Sequence, residues 1–184
     1  MRFAHRVSQD LDFFCSGDFD AEALLGRIRA AGTPLTVDHQ DNGTLRVAAG
    51  PERIKAEFFR YRYPMVQPLD ELEGVATAGP LDVGLMKLIA ITSRGSGKDF
   101  IDLYWIDRRA AGLSQILSLV PAKFRSRMPD PYHVVRSLGY FAEAEGEPPA
   151  DVLSGPGWPE IRRWFAGLAD RLLREIETGH PLWP

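Results

Sequence analysis

The spacing of apolar residues predicts strands and one helix up to Pro68, and helices beyond it. Phe3 to Phe14 reads as an extended segment in which Asp10 and Asp12 flank Leu11 at the strand period of two. From Asp18 to Ala31, the residues Ala21, Leu24, Leu25, Ile28 and Ala31 follow an amphipathic helical spacing, with Asp18 or Asp20 as cap and Gly32 as stop. Leu35 to His39 alternates apolar and polar, Asn42-Gly43 is a strong hairpin signal, and Leu45 to Ala48 continues as its second strand. Gly50-Pro51 turns the chain again into a strand over Arg53 to Tyr63, which Pro64 ends.

Beyond Pro68 the pattern predicts helices over Val83 to Thr92 with Asp82 as cap, Lys98 to Ala111, Ser114 to Arg125, Pro131 to Ala142 and Pro159 to Glu177. The last carries the longest apolar stripe, Ile161, Trp164, Phe165, Leu168, Leu172 and Ile176, and the Pro- and Gly-rich stretch from Gly146 to Trp158 is a linker that lets it fold back. Strands first and helices later define an α+β protein, divided into a sheet-and-helix part over 1–68 and a helical part over 69–184.

Composition narrows this little. The 184 residues are 45% hydrophobic and 26% charged, which excludes disordered and fibrous classes, and a net charge of -3 excludes a generally basic nucleic-acid coat protein. One cysteine, Cys15, forbids an internal disulfide framework and suits a reducing cytoplasm; a buried inert thiol is its simplest reading. Met1 to Asp12 carry charged or polar groups every few positions, and so provide neither the apolar core of a signal peptide nor a membrane span. The four histidines, His5, His39, His133 and His180, are scattered without metal-ligand spacing.

Three groups of residues carry candidate chemistry. Asp10-Leu11-Asp12 puts two carboxylates on one strand face about 7 Å apart, either a minimal platform for a hard cation such as magnesium or two solvated side chains. Glu57 lies in the otherwise apolar strand Ile54 to Tyr61, where it either completes an acidic triad as a proton acceptor or faces solvent beside Lys55 and Arg60. The third group is Lys87 on one helix and Arg94-Gly95-Ser96-Gly97-Lys98-Asp99 before the next. It is not a Walker A loop, because Thr92 and Asp99 stand where that motif needs Gly and Ser or Thr. Either Arg94, Lys98 and the helix amides receive phosphate, or Ser96 and Asp99 form a capping box, Asp99 and Asp102 complement the helix dipole, and these carboxylates hold Lys87 or Arg94 by ion pairing. Lys123, Arg125 and Arg127 read as a solvated helix end or as a contact for RNA phosphate.

Taken in order, His5 to Phe14, Ala56 to Pro64, Met86 to Ile91 with Arg94 and Lys98 to Tyr104, Ser137 to Phe141 with Ala144-Glu145, and Trp158 resemble the AbiEii/AbiGii-type nucleotidyltransferase toxin family over nearly the whole chain. The resemblance implies a DNA polymerase β-like nucleotidyltransferase fold, a small mixed sheet followed by a helical C-terminal part. It implies an enzyme of toxin-antitoxin or abortive-infection systems that transfers a nucleoside monophosphate from an NTP to an acceptor such as tRNA, in the cytoplasm and beside a winged-helix antitoxin. In those terms Asp10 and Asp12 hold magnesium, Glu57 stands where the family usually has Asp and serves as the third carboxylate on the metal or as base, and Lys87 binds the triphosphate with Arg94 and Lys98 nearby. Asp99 and Asp102 match a further motif of orienting or catalytic role.

Family members also carry a Gly-Gly-Thr/Ser-Ala-Leu segment upstream of the acidic pair, which this sequence does not contain. The expectation is a shortened N-terminus, through a start placed late or through true loss. That leaves an exposed sheet edge for self-association, and as the alternative function a non-catalytic paralogue acting as an interaction protein on the same fold.

Overall fold

The computed structural model describes residues 3–8 and 10–183; Gln9, part of the first segment that resembles the toxin family, lies outside the described residues. The chain divides into two compact units, Ser8–Tyr63 and a second formed by Arg2–Val7 with Pro64–Pro184.

The first unit is a four-stranded mixed sheet with one helix on it. Strands β1 (Asp10–Cys15), β2 (Leu35–Asp41), β3 (Thr44–Ala49) and β4 (Ile54–Arg60) lie in the order β1-β4-β3-β2, with β1 parallel to β4 and the other pairs antiparallel. A parallel pair needs a long crossover, and helix α1 (Ala21–Ala30) supplies part of it. The Asp20 side chain caps α1, accepting from the amides of Glu22 and Ala23. Alternation sorts the strands into two faces. Leu45, Val47 and Ala56 form a core with Ala21 and Leu25 of α1, and Phe58 and Leu35 pack against it. Phe13 stacks on Phe58 at 4.6 Å on that same face. The opposite face carries Asp10, Asp12 and Glu57. The first strand is shorter than its pattern suggests, because residues 5–7 bond elsewhere, as described below.

The second unit is mostly helical: α2 (Pro80–Arg94), α3 (Gly97–Arg109), α4 (Leu113–Ser118), α5 (Val120–Phe124), α6 (Pro131–Leu138), α7 (Ala142–Gly146) and α8 (Trp158–Glu177). Helix α2 packs on α3, α4 and α6, and α8 on α3 and α6. Leu85, Leu88, Phe100, Leu103 and Phe165 are buried there, and Phe100 meets Phe165 edge-on at 5.0 Å.

Several expectations need correction. The chain after Pro68 is not helical at once, since Asp70–Leu72 and Val75–Thr77 form a hairpin, β5-β6. Its turn residues Glu73 and Gly74 both take positive φ, 50° and 79°, as a two-residue hairpin loop requires. Asp82 does not cap α2: Gly79 stands at the cap and Asp82 is wholly buried. The single helix expected over Ser114 to Arg125 is broken at Leu119, next to Val120-Pro121, where Pro121 has no N–H to continue the ladder. Likewise, α6 stops at Leu138 before Gly139 rather than reaching Ala142.

Lys123 is no part of a solvated run. It is fully buried, its Nζ 2.6 Å from Asp82 Oδ1 and donating to the Pro64 carbonyl at 3.1 Å. Asp82 also accepts from the amides of Val66 and Gln67, so this ion pair pins the segment that leads from β4 into α2.

Candidate functional site

The candidate residues fall into two neighbourhoods, one in each unit. In the sheet, the parallel register of β1 and β4 sets Asp10 opposite Lys55 and Asp12 opposite Glu57. Partnered residues share a face and adjacent strands lie about 4.8 Å apart, so Asp10, Asp12 and Glu57 line one face of two neighbouring strands. The row continues across the sheet: Glu57 faces Arg46 of β3, and Arg46 faces His39 of β2. Arg46 Nε lies 3.1 Å from Glu57 Oε2, both side chains partly exposed. The cation beside Glu57 is therefore Arg46, with Lys55 on the same face; Arg60, expected beside it, lies on the opposite face of the strand and pairs with Asp18.

Oxygen donors on one face suit a hard divalent cation. Asp10 and Asp12 have the type and placement of a two-carboxylate platform, with Glu57 in register beside it. Among the described residues, no three His, Cys, Asp or Glu converge into a ready-made metal cage.

In the helical unit, Lys87 on α2 and Asp99 and Asp102 on α3 form an ion cluster. Lys87 Nζ lies 2.8 Å from Asp99 Oδ1 and 2.7 Å from Asp102 Oδ2. Asp99 also accepts two bonds from Arg94, from Nε at 2.8 Å and Nη2 at 3.2 Å. Asp102 further accepts from Arg6, Nε at 2.6 Å and Nη2 at 2.7 Å, and lies 2.8 Å from His5 Nε2. The local reasons are simple. Asp99 and Asp102 sit three apart on α3, which places them on one face, and the left-handed Gly95 (φ 57°) turns the chain from α2 so that Arg94 reaches the next helix.

The electrostatics follow from that packing. Burial pulls the Lys87 pKa down, but the charges of Asp102 and Asp99 outweigh it and the net shift is upward. For Asp99 burial pushes the pKa up, and hydrogen bonds from Arg94 with the charge of Lys87 reverse it to a net lowering. Burial also opposes ionisation of Asp102; bonds from Arg6 and His5 and the charge of Lys87 hold it well below the usual carboxylate range. All three groups stay charged across the ordinary pH range.

The expected capping box is absent. Ser96 stands at the N-cap of α3 without a side-chain cap bond; its hydroxyl donates to Glu147 Oε2 at 2.7 Å, and the Gly97 amide donates to the same oxygen at 3.1 Å. A carboxylate thus already occupies the helix start proposed for phosphate. Lys98 lies half-buried in the first turn of α3.

Sequence reasoning missed His5, Arg6, Arg46 and Glu147. Arg46 was within reach, since hairpin register places it across from Glu57. The contacts of His5 and Arg6 span 97 and 96 residues and leave no local signal.

A mixed sheet with an acidic row, joined to helices that enclose a lysine between two aspartates, defines a nucleotidyltransferase-like class by fold. The chain is similar to the crystal structure of JHP933 from Helicobacter pylori, with 18% identity, TM-score 0.53, and 96% of this chain and 80% of that one covered. It is also similar to MenT4, the nucleotidyltransferase toxin Rv2826c from Mycobacterium tuberculosis H37Rv, with 17% identity, TM-score 0.50, and coverage of 92% and 72%. Residues 1–153 match the model of the nucleotidyl transferase AbiEii toxin family of type IV TA systems, and the chain belongs to that family. A relative from Aquifex aeolicus (strain VF5), uncharacterized protein aq_aa25, is 34% identical over 170 residues, 90% of this chain and 79% of that protein. A toxin of this kind has a cognate antitoxin. Among the described residues no helix is long and apolar enough to cross a membrane.

Proposed function

We propose that this chain is a magnesium-dependent nucleotidyltransferase that moves a nucleoside monophosphate from an NTP to an acceptor hydroxyl such as that of a tRNA, held in check by a winged-helix antitoxin in the cytoplasm. The observation that carries the reading is the register of β1 on β4, which sets Asp12 beside Glu57 and Asp10 on the same face. In this reading Asp10 and Asp12 hold the cation, which when bound supplies a Lewis acid to the α-phosphate. Lys87 and Arg94 bind and neutralise the triphosphate, with Lys98 beside them. Asp99 and Asp102, too strongly ionised to take protons usefully, orient Lys87 and Arg94. Glu57, once released from Arg46, accepts the proton of the attacking hydroxyl. The acceptor oxygen bonds to the α-phosphorus as the bond to the β-phosphate oxygen breaks, and pyrophosphate leaves with the charge that Lys87 offsets.

Incubation with α-labelled NTPs, magnesium and total tRNA tests this. Label transferred by the wild type and lost in Asp12→Ala is the expected result, and equal transfer by both overturns it. A second reading, a non-catalytic interaction protein, is favoured by the engagement of Lys87 with Asp99 and Asp102 and of Glu57 with Arg46. It predicts no thermal stabilisation by magnesium and NTP, whereas the enzyme reading predicts about 2–3 kcal/mol at ligand far above its dissociation constant.

A further inference from the structure

We propose that His5 and Arg6 are positioning residues for the transfer reaction: they moor the chain just ahead of the metal-binding strand to Asp102, the carboxylate that also holds Lys87. The inference rests on the nucleotidyltransferase reading and adds a device to it.

The mooring is built from several independent contacts. Arg6 forms an isolated antiparallel bridge with Val152; the Val7 amide donates to the Asp151 carbonyl at 2.9 Å and the Leu153 amide to the His5 carbonyl at 2.8 Å. Residues 5–7 therefore act as a short strand on the linker before α8. Gly155 of that linker, at φ 84°, lies so close to Trp105 that a Cβ there would fall 2.2 Å from the indole. His5 is 4% exposed, its ring 5.7 Å from Trp105 and 6.2 Å from Phe3. Its Nδ1 is buried without a partner, so the Nε2 contact with Asp102 is the polar interaction that offsets its burial. Arg6 grips both oxygens of Asp102 in a fork, the strongest geometry available to a guanidinium and a carboxylate. Lys87 Nζ sits on the Oδ2 that Arg6 Nη2 also binds.

Covalent continuity turns this mooring into a constraint on the chemistry. The chain leaves the helical unit at Val7 and enters the sheet unit at Ser8. Asp10 is four residues beyond Arg6, so their Cα atoms are at most about 14 Å apart, however the units are arranged. The carboxylates that hold the cation are thus leashed to the group that holds the triphosphate lysine. Transfer requires cation, α-phosphate and acceptor in one geometry, and a misplacement of about 1 Å can cost about 100-fold in rate.

The decisive variant inserts Gly-Ser-Gly between Val7 and Ser8 in the full chain. It keeps every His5 and Arg6 contact but lengthens the leash. The expected result is a kcat at least about ten-fold lower, with the calorimetric Kd for the magnesium–ATP complex weakened less than about three-fold, since adding three residues to a short connection changes the effective concentration of its two ends only modestly. Thermal stability, and exchange protection of the Val7 and Leu153 amides, stay at wild-type levels. Arg6→Ala gives a similar kcat loss but also loses that protection, and His5→Gln, which keeps one donor for Asp102, retains activity that His5→Ala loses. An insertion variant with wild-type kcat overturns the positioning role while leaving the nucleotidyltransferase reading intact. Absence of transfer by the wild type itself overturns both.

Discussion

Lys123 was the residue whose surroundings departed most from its sequence context, and its replacement is correspondingly informative. Its ammonium is fully buried against Asp82, itself buried, and shares the site with the Pro64 carbonyl and the Val66 and Gln67 amides. Removing one partner of a buried ion pair costs about 3–5 kcal/mol, because the survivor keeps its desolvation penalty. The survivors here are not equivalent. In Lys123→Met the carboxylate retains two amide donors, which places the loss near the lower end, about 3 kcal/mol. In Asp82→Ala the buried ammonium loses its counter-charge, retaining the Pro64 carbonyl, and two amides lose their acceptor, which places it at about 5 kcal/mol or more. Asp82→Ala with Lys123→Met removes both charges and should cost less than the sum by about 2 kcal/mol. Urea unfolding followed by circular dichroism measures all three. A Lys123→Met loss below about 1 kcal/mol, or strict additivity in the double variant, would refute the buried pair and return Lys123 to the solvated run.

Three further outcomes follow from the same contacts. The lowered pKa values of Asp99 and Asp102 stabilise the fold above the unfolded carboxylate value of 3.8, and this is lost as pH falls toward their folded values; the raised Lys87 contributes fully below 10.5 and loses its share as pH rises through its folded value. Urea midpoints against pH should therefore drop less steeply in acid for Asp102→Asn than for the wild type. Gly155→Ala, which forces a side chain onto Trp105 at positive φ, should cost about 2 kcal/mol or more in thermal unfolding. Arg46→Gln frees Glu57 from a half-exposed pair, and should lower the magnesium needed for half-maximal transfer by up to about five-fold in a metal titration.

Much of the sheet unit was legible because its signals are local. Asn42-Gly43 marks the hairpin, Asp20, one of two candidate caps, caps its helix, and the alternation around Ala56 and Leu45 sorts core from acidic face. The parallel placement of β1 on β4 was conditional in the sequence, since strand pairing across 45 residues has no local cue, and the Asp-Leu-Asp spacing placed only its own two carboxylates on one face. The helical unit was read in outline, and three of its errors share one origin. Asp82, Ser96 and Lys123 are residue types whose ordinary work is capping or solvation, and each was recruited by a partner distant in sequence: Asp82 and Lys123 by one another, Ser96 by Glu147. Hydrophobic periodicity cannot see such pairs. The β5-β6 hairpin, by contrast, left a cue in Glu73-Gly74 that its charged surroundings concealed.

The central claim is that a nucleotide, rather than a phosphoryl group, is transferred at the face that carries Asp10 and Asp12. Supplying magnesium and NTP labelled in turn at the α- and γ-phosphate, with total tRNA as acceptor, tests this most directly. The account predicts α-label in the acceptor, γ-label in released pyrophosphate, and neither reaction in a folded Asp12→Asn variant. Transfer of the γ-label to the acceptor, or undiminished transfer of the α-label by Asp12→Asn, would contradict it.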